Sequence, residues 1–448
     1  MSQLPTEQRE HWGSRFGFIL AAAGSAVGLG NIWRFPYTTG ENGGGAFLII
    51  YLGLVFTIGL SLMLVEFVVG RRAQKDPVGA FGKLKGGPWK LVGYMGVVAA
   101  FVILSFYSVV AGWTIEYLIK ALSGAFIDID SKQSAALFGG FISDELQPLV
   151  YHGIFMAMTM GVVIGGVGAG IERASKILMP LLFLVLLFLI YKALMLPGAE
   201  KGVAFFLNPD FSKVTWNTVT AALSQAFFSL SLGAGTMITY GSYLKRDINL
   251  GRSAVTVCFL DTGVAVLAGL LILPAVFAFG VAPSAGPGLT FISLPAVFGS
   301  MDGGVFFASL FFFLLLVAAL TSALSLLEVV IAYFVDEVGM SRKMATLVFG
   351  VLIFAFGIPS SLSQGALADV TVFGLGFLDL MDTLSSKILM PIGAILSCIF
   401  VGWVIWPDAK DEVTAHGARA GAVLHVWGAV VKVVAPVAVA WIFVAQFL

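Results

Sequence analysis

Charge is what this sequence has least of. Of 448 residues only 11% are Asp, Glu, Lys or Arg, where a soluble globular chain carries about 25%. With 59% hydrophobic residues and a mean hydropathy of +0.98, too little polar surface remains to clothe a particle in water. Most of its outer area must face lipid. Basic and acidic residues balance at 25 each, so no net charge draws nucleic acid or an acidic partner. The two cysteines, Cys258 and Cys398, both sit in apolar stretches, where packing rather than a disulfide is expected. Four histidines, His11, His152, His416 and His425, are scattered without metal-ligand spacing, so an enzyme with a metal centre is not indicated. The absence of a GxxxxGK[ST] loop speaks against a nucleotide-driven pump. The opening MSQLPTEQREHWGSRFG lacks a basic head followed by a short apolar run and a cleavage site, so no cleaved leader is expected.

What the chain does have is long apolar runs. Residues 178–190 are apolar on every face, which suits a helix in lipid and not the alternating strands of a membrane barrel. The expected fold is all-α and integral to the membrane, one transporter-sized domain over 1–448. Spans are expected near 14–38, 45–69, 89–121, 150–168, 174–196, 215–243, 252–280, 303–335, 344–358, 377–406 and 422–446. The stretch 289–298 is too short to cross and reads as a hairpin or helix lying on the outer surface. If the N-terminus is inside, 17 basic residues fall in inner segments and five in outer ones, while Arg34, Lys387 and Lys432 lie within spans. Retention of Lys and Arg in cytoplasmic loops then puts the N-terminus in the cytoplasm and, after eleven spans, the C-terminus outside a cell (inner) membrane.

Two spans carry glycines where a helix should be continuous. AAAGSAVGLGNIWRFP places Gly24, Gly28 and Gly30 at mid-span in the first, and QAFFSLSLGAGTMITY places Gly233 and Gly235 in the sixth. Glycine costs a helix interior up to about 1 kcal/mol relative to alanine. Irregular backbone at membrane depth survives only where it is buried in protein or lines a cavity. Breaks five spans apart, in corresponding positions of two halves, point to a solute site at the midplane of a transporter built from inverted repeats. Broken helices offer unpaired carbonyls to a cation and unpaired N–H groups to an anion, a combination that suits a zwitterion.

GSAVGLGNIWRFP, followed by ENGGGAF, resembles the signature of the neurotransmitter:sodium symporter family, in particular its bacterial amino-acid members. LMLVEFVVGR, YSVVAGW, QAFFSLSLG, ITYGSY, AALTSA and SRK extend the resemblance collinearly from Arg9 to about Trp406. The resemblance implies two inverted five-helix repeats, about 9–196 and 210–406, with discontinuous helices 1 and 6 and an extra helix at about 422–446. It implies two Na⁺ sites. The first would use Ala26, the Asn31 side-chain oxygen, Ser229, Asp261 and the carboxylate of the solute itself. The second would use carbonyls of Gly24, Val27 and Ala318 with hydroxyls of Thr321 and Ser322. Positions 318, 321 and 322 also share one helix face on spacing alone, and hard oxygen ligands suit a hard cation.

By the same resemblance the solute carboxylate meets Leu29, Gly30 and the Tyr107 hydroxyl, and its ammonium meets carbonyls of Ala26, Phe228 and Ser231. Ile103, Tyr107, Phe228, Ser231, Ala234, Ser322 and Leu326 would line the side-chain pocket. That lining is apolar and uncharged, which favours a neutral amino acid, and the small Ala234 favours a large aliphatic or aromatic one. Gly28 replaces the aspartate of amine-carrying relatives and leaves room for a carboxylate. Asp261 stands where a relative has asparagine and adds a charge; chloride independence is therefore expected, with proton antiport possible through the same carboxyl. Glu66 is implied as a structural acceptor for the broken segments. Arg34 and Asp382 are implied as an outer latch above a lid of Tyr107 and Phe228, and Arg9 and Asp336, with Trp12, Ser242 and Tyr243, as an inner one. Glu328 and Lys387 receive no assignment. The competing readings are a same-fold carrier of another solute or one coupled to protons, and a non-transporting sensor or a channel; the oligomeric state is not legible.

Overall fold

The computed structural model describes residues 10–280, 288–414 and 421–445. Among these it forms helices and no strand, only isolated bridges at Gly44–Pro209 and Val372–Leu375. Eight helices are long and apolar enough to cross a membrane: Gly45–Ala73, Gly87–Leu122, Val167–Leu194, Leu250–Ala278, Gly304–Asp336, Arg342–Leu362, Phe377–Val404 and Val423–Ala445. Two bent pairs raise the number to ten. Arg15–Ala26 turns by 51° into Gly30–Glu41, and Ser131–Ser143 by 74° into Gln147–Val163. The interrupted pair Trp216–Ser229 and Thr236–Ser242 supplies the sixth of the eleven expected spans. The fourth, Gln147–Val163, begins earlier than expected because Pro148 takes the first turn, where its missing N–H has no cost. The segment Leu289–Gly299 is helical but does not lie on the surface as expected. Leu289, Phe291 and Leu294 are buried, and Phe291 packs on Trp33, Trp113 and Tyr117, so it plugs one end of the bundle.

The third and eighth spans form the centre. Their most apolar stretches are 83% buried, against 33% for the fifth span and 28% for the eleventh, which present their apolar sides outward to lipid. The 33 residues of Gly304–Asp336 extend about 50 Å, more than the thickness of the hydrocarbon core.

Both interruptions are built by backbone that a regular helix cannot hold. Val27 leaves the helix with ψ 105°, and the chain resumes in a wide turn in which the Phe35 N–H reaches the Gly30 carbonyl. In the sixth span Ser231, Gly233 and Gly235 have φ of 52°, 85° and 73°. Glycine adopts that region freely, whereas Ser231 is held there by its N–H on the Phe228 carbonyl and its hydroxyl on the Ser25 carbonyl, both at 3.1 Å. Glu66, buried in the second span, accepts the Gly233 N–H at 2.6 Å, and Gln225 Nε2 donates to the Gly30 carbonyl at 2.8 Å. The Gly30 and Ser25 carbonyls and the Gly233 N–H, freed by the breaks, are thus each met by another element.

Candidate functional site

The break in the first span brings a set of oxygens against the eighth. Thr321 Oγ1 lies 3.4 Å from the Val27 carbonyl and 3.0 Å from that of Ala318. Ser322 Oγ lies 3.4, 3.1 and 3.2 Å from the carbonyls of Gly24, Ser25 and Val27. A cation with oxygen bonds of about 2.4 Å, a length typical of hard oxygen-ligated ions, spaces adjacent ligands by about 3.4 Å. All five residues expected at the second sodium site therefore meet at suitable separations, and the Ser25 carbonyl joins them.

At the first site Asn31, Ser229 and Asp261 converge in full burial. Asn31 Nδ2 donates to Asp261 Oδ1 at 2.7 Å, to the Asp261 carbonyl at 3.0 Å and to Ser229 Oγ at 3.0 Å. Ser229 Oγ donates to Asp261 Oδ2 at 2.9 Å. The Asn31 oxygen, expected on the ion, instead accepts the Gly28 N–H at 3.1 Å. The Asn31 amide nitrogen thus bridges Ser229 and Asp261. Tyr51, whose hydroxyl is 3.4 Å from Ser229 Oγ, closes the cluster.

Next to these oxygens lies a narrow cavity of about 40 Å³ lined by Ala26, Gly28, Leu29, Gly30, Ile103, Tyr107, Phe228, Ser231, Ala234, Ser322, Leu326 and Met390. Every residue expected to touch the solute is in this lining. The Leu29 N–H points at Tyr107 Oη at 3.5 Å, which leaves both available to a carboxylate. The Ser231 carbonyl, expected on the ammonium, already accepts the Thr236 hydroxyl at 2.8 Å. Met390 was not foreseen, since nothing in ILMPIG marks it; Gln225, by contrast, could have been singled out as an amide in an apolar span.

The outer gate differs from expectation in its contacts. Arg34 does not pair with Asp382 within 4.0 Å. Its guanidinium lies 4.6 Å over the Phe228 ring and reaches Ser224, while Asp382 accepts the Ser386 hydroxyl at 2.8 Å. No ring contact joins Tyr107 to Phe228 among the described residues. Phe228 and Met390 instead line both the solute cavity and a small cavity under Arg34, which makes them the partition between the two. Arg9 lies outside the described residues. Asp336 accepts the Asp76 N–H at 2.9 Å, and Trp12 donates its indole N–H to the Tyr240 carbonyl at 2.9 Å while packing edge-on to Tyr240 and Tyr243. Ser242 Oγ turns back to the Thr239 carbonyl.

Glu328, unassigned from sequence, is the hub of this side. It is fully buried, accepts Arg342 at 2.7 and 2.9 Å and accepts the Tyr243 hydroxyl at 2.6 Å. Arg342 also faces Glu10 at 3.3 Å, which ties the N-terminal segment to the eighth and ninth spans. Glu172 adds a second tie, accepting the Gly13 N–H and the Ser14 hydroxyl. Lys387 is exposed on the tenth span.

Comparison with known proteins gives one answer throughout. A sodium-dependent transporter of Bacillus subtilis, YhdH, is 43% identical over 437 residues, covering 96% of each chain. A sodium-dependent transporter of Haemophilus influenzae is 39% identical over 453 residues, covering 98% of each. The crystal structure of MhsT in complex with L-phenylalanine matches with a TM-score of 0.90 at 48% identity, covering 98% of this chain and all of the other. The family model described as "Sodium:neurotransmitter symporter family" matches residues 9–128 and 148–448. Its members are transporters and not enzymes, and the chain belongs to this family as a sodium-dependent integral membrane transporter.

Proposed function

We propose that the protein imports a neutral, hydrophobic or aromatic L-amino acid together with sodium, by alternating access and without chloride. The observation that carries the reading is the place of Ser322, whose hydroxyl belongs to the oxygen cup at Val27 and also lines the solute cavity. An ion that orders the cup thereby orders the cavity wall, and affinity for each ligand depends on the other.

In this reading the first sodium joins Ala26, Asn31, Ser229 and Asp261 and is completed by the solute carboxylate. The second binds Gly24, Val27, Ala318, Thr321 and Ser322. The carboxylate is met by Leu29, Gly30 and Tyr107, and the side chain occupies the apolar space around Ile103, Ala234 and Leu326. A large side chain is favoured by the small Ala234, and the L-phenylalanine in complex with MhsT, at 48% identity, agrees with it. Asp261 supplies the negative charge that would otherwise call for an anion, and a proton on the same carboxyl after sodium leaves would return outward. Arg34, Asp382, Tyr107 and Phe228 close the outer path. Arg9, Asp336, Trp12, Ser242 and Tyr243 close the inner one, with Glu66 holding the broken sixth span. The whole chain acts as one unit of two inverted repeats, about 9–196 and 210–406, plus the helix at 422–446. It sits in the inner membrane with its N-terminus in the cytoplasm and its C-terminus outside.

One sodium entering across about 100 mV and a tenfold gradient releases about 3.7 kcal/mol, enough for roughly 500-fold accumulation. The test is uptake by proteoliposomes, screened over the twenty amino acids. External sodium should drive accumulation of aromatic or large aliphatic substrates, and replacing chloride by gluconate should leave the rate unchanged. Equal solute binding with choline in place of sodium refutes the coupling; strong chloride dependence refutes the role of Asp261.

A further inference from the structure

Far from the cavity, the tenth span, the helix Trp406–Thr414 and the eleventh span enclose an open hollow of about 320 Å³. It is lined by Lys410, His425 and Lys432 together with Trp403 and Trp406. Positions 425, 428, 429 and 432 stand at i, i+3, i+4 and i+7, one face of the eleventh span. Lys432 lies well inside the apolar stretch Val423–Ala445, where a charge is costly and by default functional. Its Nζ sits 4.7 Å from the Trp406 ring centre and 5.5 Å from that of Trp403, and Trp403 Nε1 donates to the Lys432 carbonyl at 3.2 Å.

Two glycines make room for this arrangement. A Cβ at Gly402 would lie 3.0 Å from Lys432 Cγ, and one at Gly428 would lie 2.8 Å from the Trp406 ring. Acids nearby do not neutralise the hollow. Asp408 and Glu412 on Trp406–Thr414 are engaged by Arg72 and Arg71 at 2.5 and 2.6 Å, and Asp411 is exposed. Among the described residues no ion pair reaches Lys410, His425 or Lys432. The hollow therefore presents unneutralised positive charge at the edge of the bundle, with the lipid-facing Trp403 and Val433 beside it.

We infer that this hollow binds the headgroup of an anionic membrane lipid, its phosphate against the ammonium groups of Lys432 and Lys410 and its chains over Trp403 and Val433. Basic pockets between spans, flanked by tryptophan, are the chemistry that recognises such lipids, and a lysine stem can carry its ammonium from the apolar stretch toward a headgroup. The hollow also lies at the end of the bundle that holds Arg71 and Arg72, where the helix Trp406–Thr414 is docked.

The full chain, purified in a neutral detergent, is offered phosphatidylglycerol, phosphatidylcholine or inorganic phosphate and read by native mass spectrometry. Wild type should retain phosphatidylglycerol in preference to phosphatidylcholine, and Lys432→Met should weaken that retention about fivefold. Adding Lys410→Gln should take the loss to about 25-fold, while Lys432→Arg should keep the preference. Undiminished retention by the double variant, or equal retention of the two lipids by wild type, overturns the inference. Inorganic phosphate displacing the lipid at equal concentration overturns it in favour of a free-anion site. If Lys432→Met fails to fold, Lys410→Gln alone carries the same test, its retention expected to fall about fivefold and an unchanged value overturning the assignment.

Discussion

Substituting Gly28 by alanine perturbs ion and solute sites through a single atom. A Cβ at that position would lie 2.4 Å from Ser322 Oγ, 3.3 Å from Ser322 Cβ and 3.1 Å from Tyr107 Oη. Ordinary van der Waals contact begins near 3.4 Å, so the hydroxyl must withdraw by about 1 Å from the carbonyls of residues 24, 25 and 27. Removing one oxygen from a charged partner costs about 1.5–3 kcal/mol, which corresponds to a rise of about 10- to 150-fold in the sodium concentration for half-saturation. The assay is binding of the radiolabelled amino acid selected by the uptake screen to purified protein as sodium replaces choline at constant ionic strength. Ser322→Ala should produce a similar loss, and the double variant should lose less than the product of the two, because both changes act on the Ser322 hydroxyl while only the 3.1 Å approach to Tyr107 is separate. A Gly28→Ala protein with native sodium dependence, or losses that multiply in the double variant, would refute the reasoning.

Two further outcomes follow from the inner side. Arg342→Met leaves Glu328 buried without its ion partner and should cost about 3–5 kcal/mol, whereas adding Glu328→Gln should restore most of the loss; thermal unfolding in detergent reads both, and equal stability of the single and double variants would count against the pair. Asp76 caps the helix Pro77–Leu84, and burial first, then the neighbouring Asp336, push its carboxyl from 3.8 up to about 7. The folded state therefore holds a proton that the unfolded chain has released, so stability should fall as pH rises from about 4 to 7 and stay low above it, by up to about 4 kcal/mol. Asp76→Asn keeps a capping oxygen and should flatten that decline; a melting profile parallel to the native one from pH 5 to 8 would show that Asp76 does not cause it.

The spans were legible because lipid leaves one solution for an apolar run, and the two breaks because glycine in mid-span contradicts its surroundings. What could not be read were contacts between distant elements. Glu328 is unassignable alone, yet its partner Arg342 lies only 14 residues on, across the turn between the eighth and ninth spans. Arg71 is recognisable as a basic residue at a span end, but its acceptor Glu412 is 341 residues away. Arg34 and Asp382 have complementary charges, but Arg34 lies instead on the Phe228 ring, where cation and quadrupole attract without a carboxylate. The lining of the cavity at the breaks was legible only through the family resemblance. Hydrophobic periodicity cannot say which apolar face of a fully buried helix borders a cavity, and Met390 shows the gap.

The inner half of the sixth span is pressed against the second span more closely than side chains would permit. A Cβ at Gly70 would fall 2.0 Å from the Ile238 carbonyl oxygen, and one at Gly241 would fall 3.1 Å from Phe67 backbone. With no side chain between them, Thr236–Ser242 and the second span meet main chain to main chain, so an alanine at Gly70 would force the two backbones apart. The stretch through Ser231, Gly233 and Gly235, whose φ values lie outside the helical region, joins this tightly held half of the sixth span to the other.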